Sequence, residues 1–321
     1  MGKTMKIWLI AAVALLLIGG VLFGGAMMLL KWDFTKLNTQ KMQTNTHEPA
    51  GEIQSILVET READVSFLPS DTDTCRVVCY EKEKAKHTVE IVDGVLTIRA
   101  EDTRKWYDYI GFSFHQPAVT VYLPQGVYET LTVRSRTGDV DIPKEFSFAS
   151  IDVEVSTGYV KNYASATGDV RIKTSTGDIL TEGASVASLQ LSVTTGRVRV
   201  TSVTCLGDVS ISVDTGDARL ADVTCQNLYS TGDTGDLSMK GVVAVGQFSI
   251  ERDTGDVELE RCDAADIFIK TSTGDVEGSL LSEKLFSARS NTGDVEVPPP
   301  TMGGRCEIVT DTGDIEIEVE P

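Results

Sequence analysis

Basic residues are scarce in this chain, and so are histidines. Its 321 residues include 29 lysines and arginines against 48 aspartates and glutamates, for a net charge of −19. Such an acidic surface repels the phosphate backbone, which argues against nucleic acid as a partner. The three histidines lie far apart, and no Cys-x-x-Cys pair occurs. Because structural zinc sites usually draw on such closely spaced pairs, the sequence argues against one.

Proline and cysteine are also few. The 9 prolines and an apolar fraction of 41% indicate a folded chain rather than a disordered one. Six cysteines in a chain of this length do not indicate a small disulfide-linked domain. Cys75 and Cys79 lie four residues apart in a strand-like run, so their Cα atoms are about 13 Å apart and cannot be bridged.

The long uncharged run of the chain lies at its N-terminus. Ile7–Leu30 would extend about 36 Å as a helix, enough to cross the hydrocarbon core of a membrane. Trp32 suits the membrane interface, whereas Gly24 and Ala26 leave open a cleaved signal peptide. We predict a cytoplasmic stub over residues 1–6, a transmembrane anchor over 7–30, and export of the part that follows, because a short basic start before an apolar run is typical of signal anchors.

From residue 138 onward, a Thr-Gly pair recurs every 19 or 20 residues. The residues two and four positions after the glycine are mostly apolar and enclose a polar one, as Val257 and Leu259 enclose Glu258. Period-two alternation on both sides of a turn indicates two strands with one buried face each. The turn glycines are Gly138, Gly158, Gly177, Gly196, Gly216, Gly235, Gly255, Gly274, Gly293 and Gly313.

One identical turn at a fixed spacing favours stacked coils over an antiparallel meander, since equivalent residues of a solenoid lie directly above one another. The sequence therefore predicts an all-β fold, a parallel β-helix or β-solenoid with 19–20-residue coils, preceded by one N-terminal transmembrane helix. Cys205 and Cys225 each follow a turn glycine by nine residues. We expect them to stack in neighbouring coils as buried thiols, or as a disulfide in an oxidising compartment.

Three segments follow the predicted anchor. Residues 31–50 are polar and aperiodic, which predicts a stalk. Residues 51–133 alternate irregularly and predict the first coils and a cap, with Glu62–Val65 as a degenerate Thr-Gly-Asp-Val turn. Residues 134–321 predict the regular solenoid, whose last strand carries charges that would keep an exposed terminal edge from pairing with another chain. These charged residues are Glu316, Glu318 and Glu320.

The β-rich run Ala118–Pro124 precedes Thr137–Val140, the first regular turn. This run and the serial turns after it resemble the bacterial "putative adhesin" β-strand-repeat family, a domain of unknown function, over residues 53–319. The resemblance implies a cell-envelope location, often beside envelope-stress signalling, and it supplies no catalytic residues. Tyr159 and Arg197 depart from the pattern, because the aspartate after the turn glycine is missing there.

Two rows of carboxylates in the late coils are candidate metal ligands. Turn chemistry alone explains an aspartate after each glycine, because its side chain can accept hydrogen bonds from nearby amides. Stacked carboxylates repel one another unless cations screen them, however, and calcium accepts several carboxylate oxygens. We therefore predict weakly bound Ca²⁺ at most, and no other cofactor. The rows are Asp256, Asp275, Asp294 and Asp314, one residue after the glycine, and Glu258, Glu277, Glu296 and Glu316, three residues after it.

An aromatic segment among the irregular strands is the candidate site for a ligand or partner. Aromatic rings stack on sugars and anchor protein partners, although the same rings would also cover the open end of a rod. A group of basic residues in the early coils is expected to be a solvated face. The aromatic residues are Trp106, Tyr107, Tyr109, Phe112 and Phe114, and the basic residues are Arg171, Lys173, Arg197, Arg199 and Arg219.

The sequence favours a non-catalytic, single-pass membrane protein whose C-terminal domain lies outside the cytoplasm. Its expected partners are a cell-wall or matrix component or an envelope protein. The alternative is a regulatory or accessory component of an envelope-stress signalling system. A calcium-dependent polysaccharide-cleaving enzyme is the third hypothesis, but no side chain stands out from the repeat as its catalyst, and we expect no enzyme activity.

Overall fold

The computed structural model describes residues 2–33, 41–106, 115–300 and 302–320. The one helix among these residues, α1 (Lys3–Leu29), has a mean hydropathy of 2.6 over the best window of Thr4–Leu29, and none of that window is buried. The predicted N-terminal apolar helix is confirmed. By length and composition it fits a membrane anchor or a signal sequence.

The other named elements of the described residues are strands, which wind into a parallel β-solenoid with two faces, as predicted. The first face consists of β2 (Ser55–Thr60), β6 (Val95–Asp102), β8 (Val127–Thr137), β10 (Ser147–Thr157), β13 (Asp169–Thr176), β16 (Ser188–Thr195), β18 (Asp208–Thr215), β20 (Asn227–Thr234), β23 (Gln247–Thr254), β25 (Asp266–Thr273), β27 (Lys284–Thr292) and β29 (Gly304–Thr312).

The second face lies opposite, and both faces extend into a cap at the N-terminal end. The second face consists of β3 (Asp64–Pro69), β7 (Ala118–Leu123), β9 (Val140–Ile142), β11 (Val160–Asn162), β14 (Ile179–Glu182), β17 (Val198–Cys205), β19 (Ala218–Cys225), β21 (Leu237–Lys240), β24 (Val257–Cys262), β26 (Val276–Leu280), β28 (Val295–Glu296) and β30 (Ile315–Val319). The cap strands are β1 (Met42–His47), β4 (Arg76–Lys82) and β5 (Ala85–Val92), and short strands at the corners are β12 (Ser165–Ala166), β15 (Ser185–Val186) and β22 (Val243–Ala244).

Alternating side chains of both faces point into one continuous hydrophobic core. In β10, Ile151 pairs with Leu131 of β8 on one side and with Val170 of β13 on the other, and all three are buried. Equivalent residues of successive coils therefore form columns, as a fixed spacing in the sequence predicts. Cys205 and Cys225 lie on β17 and β19, which pair in register, and both are buried free thiols.

Each coil bends at more than two places, and glycine serves two of these corners for different reasons. At the first corner, Gly274 has φ +149°, and a Cβ on it would lie 2.1 Å from the carbonyl oxygen of Gly255 in the neighbouring coil. Neither the backbone conformation nor the space admits a side chain there. At the second corner, Gly183 has φ +67° with nothing within 4 Å of a Cβ. Ser202 and Arg261 occupy equivalent positions at φ 53°, so this corner tolerates side chains.

Antiparallel strands close the N-terminal end. β6 pairs with β2 and β7 pairs with β3, so β6 and β7 lie outside β2 and β3 at this end. β5 then pairs antiparallel with β6, while β4 pairs antiparallel with both β7 and β1. This reversal of strand direction ends the stack of parallel coils.

The pairing at this end decides two predictions. Glu62–Val65 does replace a Thr-Gly-Asp-Val turn, because Asp64 Oδ1 accepts a hydrogen bond of 2.9 Å from the amide of Asp139. The predicted stalk over 31–50 is wrong in part, because Met42–His47 forms β1 and pairs with β4 along its whole length. Polar side chains misled the prediction, since some of them, such as Asn45, bind inside the cap rather than facing water.

The last two coils are stacked in the reverse of their order along the chain. β29 pairs with β25 on one side and with β27 on the other, and β30 lies in the same way between β26 and β28. The coil of Gly313 therefore follows the coil of Gly274 directly, and the coil of Gly293 forms the end. Proline accounts for this order, because Pro298–Pro300 follow β28 and lack the N–H groups that an inner strand must donate.

This order corrects the predicted terminal edge. Glu316 pairs with Glu277 on one side and with Glu296 on the other, so the start of β30 is an inner strand. The prediction that Glu316, Glu318 and Glu320 guard the exposed edge of the last coil is therefore wrong for Glu316, because it assumed that the last coil of the sequence is also the last in space. For Glu318 and Glu320 it stays a prediction, since they lie beyond the two positions at which β28 pairs with β30. The end of the stack is formed by β27 and β28 instead.

Candidate functional site

The corners with Thr-Gly turns form a regular, exposed edge along the solenoid, here called the Thr-Gly-Asp edge. The threonine of every turn is exposed and pairs in register with the threonine of the neighbouring coil. Parallel strands lie about 4.8 Å apart, so the edge repeats one hydroxyl and one methyl group per coil at that spacing. In spatial order the row is Thr137, Thr157, Thr176, Thr195, Thr215, Thr234, Thr254, Thr273, Thr312 and Thr292.

The aspartates next to the glycines form a hydrogen-bonded ladder beside this row. Asp256 Oδ1 accepts a hydrogen bond of 2.8 Å from the amide of Asp275, whose own Oδ1 accepts one of 2.8 Å from the amide of Asp314. Asp314 in turn accepts one of 2.8 Å from the amide of Asp294. Tyr159, which lacks the carboxylate, still donates its amide to the neighbouring coil at 2.8 Å. Each of the aspartates Asp256, Asp275 and Asp314 thus satisfies an amide of the next coil, which is a structural reason for the recurrence of aspartate at this position.

The glutamates three residues after the glycine form a second exposed row. Glu277 pairs with Glu258 and with Glu316, and Glu316 also pairs with Glu296. The row therefore contains the predicted residues in a different spatial order. Several of them share an open groove with Glu260, Glu318 and Glu320. Calcium binding at the two rows stays a prediction. In the aspartate row, one carboxylate oxygen of most residues already accepts a hydrogen bond from a backbone amide.

The structure describes one residue of the predicted aromatic site. Trp106 is 76% exposed. Beyond the undescribed stretch, the ring of His115 meets the ring of Tyr80 edge to face, with 6.3 Å between the centroids. The segment as a ligand or partner site stays a prediction. Outside the described residues lie Tyr107, Tyr109, Phe112 and Phe114.

The basic residues of the early coils bind to their neighbours on the surface. Arg197 forms an ion pair of 3.0 Å with Asp178 of the adjacent coil, and Arg171 donates a hydrogen bond of 2.8 Å to the side chain of Gln190. These contacts join exposed side chains of successive coils. They fit the predicted solvated face.

The N-terminal cap contains a buried polar cluster that no sequence motif indicated. Cys79 and Glu81 are two residues apart on β4 and so point to the same side, and His87 lies on β5 just beyond the turn. All three are buried, and one sulfur, one carboxylate oxygen and one ring nitrogen lie within 4.8 Å of one another. A Cys-x-Glu step on a strand, followed by a hairpin and a histidine, was the signal that could have indicated this cluster.

Hydrogen bonds satisfy the buried carboxylate of this cluster. Glu81 Oε2 accepts hydrogen bonds from the amide and from ring Nδ1 of His87, both at 2.7 Å, and Oε1 accepts one of 2.6 Å from Asn45 Nδ2. Burial acts to raise the pKa of Glu81, but the hydrogen bonds from His87 and Asn45 outweigh it and hold the pKa below its ordinary value. Burial, with the nearby Glu81 charge, raises the pKa of Cys79 to about 12, so that it is a thiol at neutral pH.

Further charges surround the cluster. Lys82 Nζ lies 2.5 Å from Glu62, and Arg104 lies 3.1 Å from Glu62 and 2.7 Å from Asp102. Burial acts to raise the pKa of Glu62, but the hydrogen bonds from Lys82 and Arg104 hold it below its ordinary value. The cap therefore contains paired charges where the coils contain apolar columns.

A parallel β-solenoid with serial Thr-Gly-Asp turns, a capped N-terminal end and an apolar N-terminal helix defines a class of β-repeat protein. The chain belongs to the Toastrack DUF4097 family, whose model matches residues 53–212 and 204–321. The match covers the same part of the chain as the resemblance found in the sequence. A search of the curated proteins finds no match.

Solved structures with a similar arrangement cover most of the chain. A "putative lipid binding protein" from Parabacteroides distasonis is 13% identical with a TM-score of 0.48, over 88% of this chain and 98% of that one. A "putative adhesin" from the same organism is 12% identical with a TM-score of 0.46, over 88% and 98%. A "putative adhesin" from Parabacteroides merdae is 10% identical with a TM-score of 0.42, over 88% and 98%. At these values, the names of these proteins carry no inference about this chain.

Proposed function

We propose that this protein is a membrane-anchored, non-catalytic β-solenoid that lies outside the cytoplasm and binds an extended component of the cell envelope. The observation that supports this best is the row of exposed threonines on the Thr-Gly-Asp edge, which keeps one register from Thr137 to Thr292. An array that repeats one side chain per coil offers equivalent contacts to successive units of a regular polymer, and many weak contacts add up to firm binding. A cell-wall or matrix polymer has such repetition.

Binding through the edge is tested by cosedimentation of the full chain, in detergent, with purified insoluble cell wall. Replacing Thr195, Thr215 and Thr234 by valine keeps the side-chain shape and removes three hydroxyl groups from the edge. We expect this variant to lose at least tenfold in wall affinity.

The matched control replaces three hydroxyl residues of the same strands, on the outer surface of the first face, by valine. These are Ser192, Ser212 and Thr231, which pair in register with one another. The control should bind as the unchanged chain does. Equal binding by both variants would refute the role of the edge, and capture of a membrane signalling protein in place of the wall would favour the regulatory alternative.

The location is tested separately, with protease added to intact protoplasts that express the full chain. We expect the protein in the membrane fraction and its solenoid removed by the protease, because α1 is long and apolar enough to span the membrane. A solenoid that is cleaved only after lysis would reverse the proposed orientation. A solenoid recovered in the medium would identify α1 as a cleaved signal.

Weakly bound calcium at the acidic rows belongs to the same proposal. Calcium bound between glutamates of successive coils should raise the midpoint of thermal unfolding more than sodium does at equal ionic strength. Equal shifts would leave charge screening alone as the explanation.

A further inference from the structure

We propose that Cys79, Glu81 and His87 form a zinc site that holds together the two cap strands β4 and β5 where they diverge. This proposal does not depend on the function proposed above. A thiolate sulfur, a carboxylate oxygen and an imidazole nitrogen are the ligands that zinc takes in proteins. Here one of each comes from a buried side chain, and the three ligand atoms lie within 4.8 Å of one another.

The donor set selects zinc among the common cations. Calcium and magnesium prefer sites built from several oxygen atoms, and this cluster offers one carboxylate. Sulfur and nitrogen ligands in a small buried site favour zinc. In the rival arrangement, a purely hydrogen-bonded Glu81–His87 pair, the sulfur at position 79 has no role beyond packing. Replacement of Cys79 therefore distinguishes the two.

The place of the three residues in the fold gives the metal a structural task. β4 and β5 follow one another through a tight turn and pair at Lys82 and Ala85. Beyond that pair they separate, since β4 continues beside β7 on the second face and β5 continues beside β6 on the first face. Glu81 and His87 come from the two branches of this fork. A metal that both branches bind would join the two faces where the strands part.

Small side-chain movements suffice to form the site. Zinc bonds of about 2.0–2.3 Å place neighbouring ligand atoms of a tetrahedron roughly 3.3–3.8 Å apart, so the present separations require shifts on the order of 1 Å. On binding, the Cys79 thiol releases its proton to solvent, and the metal takes the place of the proton on His87 Nδ1. That proton moves to Nε2, which donates it to the hydroxyl of Thr60, 3.0 Å away. A water molecule is available for the fourth position.

The test uses the full chain, purified in detergent, stripped of metal and then titrated with zinc and with cobalt. We expect one metal ion per chain and, with cobalt, the near-ultraviolet absorption of a thiolate–cobalt bond. Cys79→Ser and His87→Gln should each weaken zinc binding by at least about 100-fold, because even the loss of a hydrogen-bond partner of a ligand costs 10–100-fold. Cys79→Ser should also abolish the cobalt absorption.

Cys75→Ser is the matched control, because it removes a buried thiol just before β4 that lies outside the cluster. It should leave both the affinity and the cobalt spectrum unchanged. No zinc binding by the unchanged chain at micromolar metal, a cobalt complex without thiolate absorption, or an equal loss in Cys75→Ser would each overturn the proposal. The titration of the unchanged chain decides the matter even if Cys79→Ser fails to fold.

Discussion

The coils and the cap hold stacked strands together with different chemistry. In the coils, Val257 lies between Leu237 and Val276, and all three are buried. The apolar side chains of each coil thus pack against equivalent apolar side chains of the next. In the cap, the buried Glu81 is held by His87 and Asn45 from two other strands. The comparison shows that the repeat is held mainly by apolar columns and its turns. The N-terminal end has no further coil on its outer side, and it is closed by reversed strands and specific polar contacts.

The largest expected effect comes from a charge in an apolar column. Val257→Asp would bury an unpaired carboxylate, and we expect unfolding to become easier by about 4 kcal/mol or more, with loss of cooperativity. The measurement is denaturant unfolding of the full chain followed by circular dichroism. The control is Glu258→Asp, an exposed change on the same strand that should shift stability by less than about 0.5 kcal/mol. A Val257→Asp chain with an unchanged midpoint would refute the coil register.

The second prediction addresses the first corner of a coil. Gly274→Ala introduces a Cβ that would lie 2.1 Å from a backbone oxygen, at a φ of +149° that side chains rarely adopt. We expect a loss of about 3 kcal/mol in the free energy of unfolding. Gly183→Ala at the second corner, where space is open, should cost only about 1 kcal/mol for its left-handed backbone. Gly126→Ala is the neutral control. Equal losses at Gly274 and Gly183 would contradict the distinction between the corners.

The third prediction separates the cap from the coils by pH. Glu62 and Glu81 have lowered pKa values in the folded protein, so the stability that they contribute is present above their ordinary pKa of about 4.5 and is lost as pH falls through the lowered values. Hydrogen exchange should therefore show β1, β4 and β5 losing protection below about pH 4 while β16 to β20 keep theirs. Simultaneous loss in both regions would show that buried carboxylates do not set the stability of the cap.

The smallest expected effect tests the order of the coils at the C-terminal end. Glu316 has a glutamate on both sides, Glu277 and Glu296, whereas Glu296 has one. Glu316→Gln should therefore stabilise the chain by a few tenths of a kcal/mol at low salt, about twice the effect of Glu296→Gln. The thermal midpoints of the two variants provide the measurement. The reverse ranking would indicate that the coils stack in the order of the sequence.

The coil region could be predicted because every coil carries the same evidence, an apolar residue two positions after a turn glycine, as at Val257. The cap could not be predicted in this way. Asn45 and Thr60 contact the Glu81–His87 pair from strands that carry no repeat, so the sequence does not show which strands pair there. The reversed coils at the end escaped prediction for the opposite reason. All turns are alike, so the turn pattern alone does not distinguish a neighbour from a coil two places away; the signal that could have done so is Pro298–Pro300.

Candidate sites inside the repeat could be located from the sequence, whereas the site in the cap could not. Residues at a constant offset from the turn glycine, such as Glu258 and Glu277, had to fall in one row once the coils were parallel. The buried cluster of Cys79, Glu81 and His87 follows no offset, since a hairpin and not the repeat brings its members together. Spacing rules for zinc ligands, which look for close pairs of cysteine or histidine, pass over such a set.

The reversed order of the last two coils also bears on how the chain folds during synthesis. The coil of Gly293 leaves the ribosome before that of Gly313, and its turn fits onto the coil of Gly274 as any coil does. The native neighbours Asp275 and Asp314 are 39 residues apart, against 19 for Asp256 and Asp275. Doubling a loop costs only about 0.6 kcal/mol at equilibrium. If the coil of Gly293 docks there before β29 and β30 emerge, it must move aside to admit them, so we expect a chain that stalls after residue 300 to hold a shorter solenoid.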